Sequence, residues 1–312
     1  MKNILTVASL LTLFTLVVRA QKTDLIYSKS SVLIDKIKIT ENITLYKTGS
    51  TNAYPNMIAL RTEKGIIIFD THAILDMTKK IKAMIEADYG NNIAYVVNTH
   101  AWFDHTNGNI VFKDVPIIGN DKGPKTINGL VKAARNPETE KRMEKYVKQM
   151  EDSLPSYKGD LRAGSEAIDI QKAMMELKIN GAVLPTILFN DKMSLTLGST
   201  SLHLFSNTTS YSDNDIIIEI PEEHTLIVGD IFNKNRLPWL DSKTDFTFMN
   251  KLFASYISDS STVYNFIGGH GYGMTKNEIK EQLNYINELK ANVDSLKKEG
   301  KTISEIKKTL EI

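Results

Sequence analysis

The sequence contains no cysteine. That absence excludes disulfides and every thiolate metal site, and leaves His, Asp and Glu as the strong metal ligands available. Stability must then come from a packed core, which a chain of 312 residues is long enough to supply. A surplus of one charge is also missing. Lys and Arg number 38 against 37 Asp and Glu, and no basic block lies outside the helical C-terminus, so nothing points to nucleic acid as a partner. Beyond residue 18 no apolar run approaches the ~20 residues that span a bilayer. There is no internal repeat and no low-complexity linker. One domain is the economical organisation, and no feature specifies an oligomeric state.

What is present begins with an apolar run from Ile4 to Val18, preceded by Lys2 and closed by Val18-Arg19-Ala20. This reads as a secretory signal peptide, residues 1–20, cut before Gln21. The competing reading, a membrane anchor, needs a longer run. No cysteine follows the run, which argues against a lipidated N-terminus. The expectation is a secreted or periplasmic protein with no stable membrane insertion and a mature chain of 21–312.

Short segments rich in Ile, Val and Tyr, bounded by turn residues, predict strands over 38–47, 56–61, 65–69, 94–98 and 115–118. Between the third and fourth, Met77, Ile81, Met84 and Ile85 recur at helical spacing, which predicts a helix over 76–88. Strand, helix, strand is the alternation of a layered α/β protein. Residues 136–178 differ: they are charge-rich, nearly free of β-branched runs and broken by "LPSYKG", as two helices of an insertion or lid overhanging a site would be. Strands return at 193–197, 201–205, 215–220 and 225–228, and the chain ends in two helices over 275–312 split at Gly300.

Of the six histidines, His203 lies inside a strand pattern and His224 in the turn "IPEEHT", where packing or solvation accounts for them. His72 follows Asp70-Thr71 at a strand end, where it either packs or lines a pocket. His100, Asp104 and His105 form a denser group. They follow the strand end "AYVVNTH", in a loop whose Asn107-Gly108 favours a tight turn, so their side chains can converge at one sheet edge. Two further strand ends share that layout. "TLIVGDIF" delivers Asp230, and "YNFIGGHGYG" delivers His270 between glycines that let the backbone pass close to a pocket. Three strand ends that each present a hard or borderline ligand are what a metallohydrolase site needs.

In this order the fragments resemble the metallo-β-lactamase superfamily of zinc-dependent hydrolases across nearly all of the mature chain. "FDTHAI" is similar to its Asp-Thr-Gly strand end, "NTHAWFDHTNGN" to its H-x-H-x-D-H-x-x-G signature, "SYSDNDIIIEIPEEHTLIVGDIF" to the stretch from a ligand His to the Gly-Asp, and "GGHGYG" to its final Gly-His-Gly. The resemblance implies an αβ/βα sandwich of four layers, here with a helical insertion and a helical C-terminus, and a site at one edge between the sheets.

The departures are confined to one half of that site. The family's first metal is held by both histidines of H-x-H and by a third. Here the first is His100, the second position is Trp102, and the third falls on Tyr211. The second metal's ligands match as Asp104, His105 and His270, with Asp230 in the bridging position. Two His and a carboxylate leave a coordination position open for water, the catalytic form of a zinc site. The resemblance therefore implies one zinc ion, with iron or manganese as alternatives in an all-nitrogen-and-oxygen site. Trp102 and Tyr211 either plug the vacated space, or Tyr211 presents its phenol to the reacting group as a hydrogen-bond donor.

The reading is an exported metal-dependent hydrolase of a small-molecule ester, lactone, amide or β-lactam, with Asp104 and Tyr211 as catalytic candidates. The alternative is a binding protein that retains the fold and one ion without turnover. An electron-transfer or oxygenase role lacks any flavin or thiolate motif.

Overall fold

The computed structural model describes residues 33–90, 92–207, 211–238, 240 and 244–310; the expected signal peptide lies outside them. Two sheets stack face to face. The first contains seven strands in sequential order: β1 (Ile34–Lys38), β2 (Ile43–Thr48), β3 (Met57–Thr62), β4 (Gly65–Phe69), β5 (Ile93–Val97), β6 (Ile117–Asn120) and β7 (Ile187–Phe189). Pairing is antiparallel from β1 to β4 and parallel from β4 to β7. The second holds β8 (Lys192–Leu197), β9 (Thr200–Asn207), β10 (Asp215–Ile220), β11 (Thr225–Gly229), β12 (Asn265–Gly268) and β13 (Met274–Thr275) in the order β13-β12-β11-β10-β9-β8. Only β11 and β12 run parallel there.

The apolar runs are explained by burial on both faces. In β4, Ile67 and Phe69 point between the sheets and meet Leu204, Ile216, Ile218 and Ile227 of the second sheet. Ile66 and Ile68 point the other way, under Ile81 and Ile85 of helix α1 (Leu75–Tyr89). The second sheet repeats the device. Ile227 faces inward, while Leu226 and Val228 lie under Met249 and Phe253 of α6 (Phe246–Tyr256) and Ile279, Leu283 and Ile286 of α7 (Lys276–Lys298). Helix α7 begins with a capping box between Thr275 and Glu278, and the chain turns at Gly300 into α8 (Ile303–Leu310). The layers are helix, sheet, sheet, helix, as expected. Among the described residues no helix is long and apolar enough to cross a membrane.

Several boundaries differ from expectation. The single strand over 38–47 is a hairpin, because the Thr40 hydroxyl accepts from the backbone N–H of Asn42 and of Ile43 and turns the chain between β1 and β2. Helix α2 (Phe103–Thr106) and a 3₁₀ turn over Asn107–Phe112 occupy the expected loop after His100. Gly108 serves close packing there, since a Cβ would sit 2.3 Å from Thr78 Oγ1. The two helices of the insertion are α4 (Pro137–Ser153), capped by Asn136, and α5 (Leu161–Asn180), and α3 (Gly123–Ala134) joins them as a third. Ala173 and Leu177 of α5 pack on Tyr54, Ala73, Met77 and Phe103, which binds the insertion to α1 and α2.

Candidate metal centre

Four strand ends meet at one edge of the sandwich. Asp70 follows β4, Thr99 and His100 follow β5, Asp230 follows β11 and His270 follows β12. The two sheets are tied there by backbone bonds, Ile216 N–H to Thr99 O at 2.6 Å and Asn56 N–H to Gly269 O at 2.7 Å. The expected ligands converge. Asp104, His105 and His270 offer ligand atoms within 4.8 Å of one another, and so do His100, His105 and Asp230.

Each imidazole is fixed by a partner on its Nδ1. His105 Nδ1–H donates to Asp70 Oδ2 at 3.0 Å, and His270 Nδ1–H donates to the Tyr54 carbonyl at 2.9 Å. The Thr99 hydroxyl gives its one proton to Asp70 Oδ2 at 2.7 Å, so toward His100 Nδ1, 3.1 Å away, it can only accept. In all three neutral rings the free lone pair is therefore on Nε2. Those three Nε2 atoms are buried and have no hydrogen-bond partner among the described residues. Buried polar atoms are rarely left so, and three at one place call for a ligand.

The residues present fit a metal ion. His105 Nε2 lies 3.4 Å from Asp104 Oδ2 and 3.7 Å from Asp230 Oδ1, and His270 Nε2 lies 3.5 Å from Asp104 Oδ2 and 3.4 Å from Asp230 Oδ2. Bonds of ~2.0–2.1 Å to tetrahedral zinc place neighbouring ligand atoms roughly 3.3–3.4 Å apart. Because an imidazole Nε2 has one lone pair, the two overlapping groups share His105 and cannot both be filled through it.

Electrostatics agree. Burial opposes the charge on Asp104 and Asp230, yet His105 and His270 outweigh it and hold both carboxyls well below their ordinary range. Burial likewise opposes protonation of His105 and His270, and the carboxylates reverse that and raise both. Protons thus occupy the place of a cation, to be released when one binds. His100 goes the other way, down to about 4, chiefly by burial and then by the charge of His105.

Glycines make the convergence possible. A Cβ on Gly269 would stand 2.2 Å from Asp230 Oδ1 and 2.8 Å from His105 Cε1. Asp70 takes φ +56°, in the left-handed region that Asp and Asn tolerate better than other side chains. Asn233 accepts from His270 N–H at 2.8 Å.

Tyr211 is brought to His100 by the turn 211–215. Asp215 accepts from the N–H of Tyr211 and of Ser212, while Asn214 accepts from Ala101 N–H at 2.7 Å. The Tyr211 ring meets His100 edge-on at 5.3 Å, so position 211 faces the His100 side of the site. Burial, followed by the charges of Asp230 and Asp104, pushes its phenol above the usual range, and it stays protonated. Trp102 does not act as a plug. It is 42% exposed and stands at the rim, 6.5 Å from the Tyr211 ring. His72 lines no open pocket: its Nδ1 accepts from Ile74 N–H and its Nε2–H donates to Thr48, with the ring fully buried. His203 and His224 lie outside both ligand groups, on β9 and after a 3₁₀ turn. Thr99 and Asn233 carry no motif signal of their own, because their roles depend on contacts across 29 and 37 residues.

Neither protein-family models nor curated proteins give a match to the sequence. Solved structures do. The chain is similar to a metallo-β-lactamase from Pontibacter korlensis, with a TM-score of 0.53 and 12% identity over 81% of this chain and 98% of that one. It is similar to the metallo-β-lactamase IND-7 at TM-score 0.51 and 15% identity, over 82% of this chain and 100% of that one. A third likeness is to the DIM-1 metallo-β-lactamase exposed to ceftazidime, at TM-score 0.54 and 14% identity, over 82% and 97%. Sequence identity this low speaks to architecture alone, and the strand order, the layers and the extent of the match agree on it: the chain has the metallo-β-lactamase fold.

Proposed function

We propose that the protein is a metal-dependent hydrolase that works with one divalent ion, zinc in the first instance and iron or manganese as alternatives. Asp104, His105 and His270 would hold the ion and leave a position open for water, with Asp230 beside it either as a fourth ligand or to orient that water. The observation that carries this reading is the convergence of buried, unpartnered Nε2 atoms on two carboxylates, the buried Asp230 and the partly exposed Asp104. An ion there supplies Lewis acidity, which polarises a carbonyl and brings the pKa of water down to roughly 7.

The chain's own residues supply the rest. Asp104 is the more accessible of the two carboxylates, its side chain 17% exposed against 2% for Asp230, so it orients the attacking water from the open side. The Tyr211 phenol, kept protonated, donates to the oxyanion that develops as the carbonyl is attacked. His100 closes the wall beside it. Trp102 and Tyr211 give the mouth an aromatic border suited to a small ester, lactone, amide or β-lactam.

The test is elemental analysis of the purified protein, paired with a screen of those four substrate classes. Roughly one ion per chain and turnover abolished by chelation are expected. Asp104→Ala should lose at least ~100-fold in kcat/KM, and Tyr211→Phe should lower kcat by roughly 10²-fold with little change in KM. One bound ion with only chelator-insensitive background across the panel would support a non-catalytic binding protein instead.

A further inference from the structure

Helix α5 reaches the candidate centre through a segment that is not itself part of it. Glu166 and Asp169 lie three residues apart on one face of that helix. Glu166, 4% exposed, accepts the Ser50 N–H at 2.7 Å and the Ser50 hydroxyl at 3.1 Å on one oxygen, and the Thr51 hydroxyl on the other. Asp169 accepts the Tyr54 hydroxyl at 2.8 Å. The fit is close: Gly49 takes φ +72°, and a Cβ on it would stand 2.6 Å from Glu166 Oε1. The segment 49–54 that these carboxylates grip is the one whose Tyr54 carbonyl accepts His270 Nδ1–H at 2.9 Å. Pro55 then bridges to His270 along the backbone.

We propose that Glu166 and Asp169 are positioning residues for the metal centre. They fix the Tyr54 carbonyl, and with it the tautomer and orientation of the His270 ring. The helical insertion is thereby part of the ligand architecture and not only a cover. This rests on the reading of Asp104, His105 and His270 as the metal ligands.

The test uses the full chain and two ions, Zn(II) and Co(II). Affinity is measured by competition with a chromophoric chelator, the Co(II) form is followed by its visible bands, and urea unfolding of the metal-free protein is recorded in parallel. Outer-shell partners of a ligating His are commonly worth 10–100-fold in affinity. Glu166→Gln and Tyr54→Phe should each weaken binding by roughly 10-fold, the double variant should do so by roughly 100-fold, and the Co(II) bands should shift. Glu151→Gln, which breaks the exposed Lys172–Glu151 pair of the same insertion, should leave affinity and spectrum unchanged. Variants that lose stability yet bind both ions with wild-type affinity and spectrum would overturn the proposal. If Glu166→Gln fails to fold, Tyr54→Phe removes only a hydroxyl and decides alone. His270→Ala separates the two levels. If it retains the wild-type ion, or if the wild type takes up none, the reading of the centre fails and the proposal falls with it. If it loses the ion while Tyr54→Phe binds normally, only the positioning role falls.

Discussion

Asp70→Asn is the sharpest test of how the candidate centre is prepared. The change is isosteric, and Asn tolerates the φ of +56° at this position as well as Asp does. What it alters is donor and acceptor count. Asp70 accepts three hydrogen bonds: the Thr99 N–H on Oδ1, and the Thr99 hydroxyl and His105 Nδ1–H on Oδ2. Asn keeps the carbonyl for the Thr99 N–H and turns an NH₂ toward the other two. His105 must then accept on Nδ1 and carry its proton on Nε2, which faces Asp104 and Asp230. The Thr99 hydroxyl now receives a proton and donates to His100 Nδ1, so that ring changes tautomer too. Either imidazole must give up this arrangement before it can serve as a ligand.

The upper end of the 10–100-fold range for an outer-shell partner applies, because the direct partner of a ligand is reversed and not merely removed. A loss of ~100-fold in metal affinity corresponds to ~2.7 kcal/mol. The assay is chelator competition with Zn(II), together with ¹⁵N NMR of the histidine rings in the metal-free variant. An affinity within about twofold of wild type, or a neutral His105 ring that still carries its proton on Nδ1, would refute the reasoning.

Other outcomes follow from the same contacts. Gly269→Ala should cut metal affinity at least ~10-fold by pressing on Asp230 and His105, whereas Gly129→Ala, in α3 with open space around it, should stabilise by ~0.5–1 kcal/mol in urea unfolding; equal effects would show that the packing at 269 is slack. Burial lowers His72 to about 3 from 6.5, so the folded protein binds fewer protons than the unfolded chain between those values. Its contribution is present above pH 6.5 and lost as pH falls toward 3, by ~1.4 kcal/mol per pH unit. His72→Gln should therefore flatten the acid limb of metal-free stability by about that slope, and parallel curves would contradict it. Trp102→His combined with Tyr211→His should admit a second ion detectable by elemental analysis, while either single change should not; a folded double variant with one ion would mean that the rim position of Trp102 lies too far out.

Much of this was legible in the sequence because the residues involved sit at ends of strongly patterned elements. Gly65–Phe69 and Thr225–Gly229 are apolar at their centres and bounded by turns, so the residues just after them, Asp70 and Asp230, had predictable places. His100, Asp104, His105 and His270 came together as the motif order implied. What escaped was information carried by tertiary contact. Position 102 is where the motif order expects a ligand, and nothing in "THAWFDH" says that the Trp102 side chain turns to the rim. Helix α3 was hidden because "GPKTINGL" begins with Gly-Pro and contains a second glycine, a poor local signal rescued by packing on α5. The link from Asp169 through Tyr54 to His270 spans 115 and then 216 residues, beyond the reach of any local pattern.

The asymmetry between the two halves of the site has a physical reading. A side chain at position 102 stands at the rim, so replacing a ligand by Trp there disturbs no buried polar network. Asp70, His105, Asp230 and His270 are each at most 3% exposed, and the hydrogen bonds of Asp70, Asn233 and Tyr54 that hold them also join the strand ends. Without a cation, that half must hold protons between its imidazoles and two carboxylates, and any polar group it leaves unsatisfied there costs on the order of 1–3 kcal/mol. Apolar replacement of such a cluster is often neutral or stabilising, so the fold alone gives no reason to keep it. Position 102 carries no ligand, while Asp104, His105, Asp230 and His270 converge. That pattern is what the proposed single metal position would produce, and it is the reason to measure metal content before substrate range.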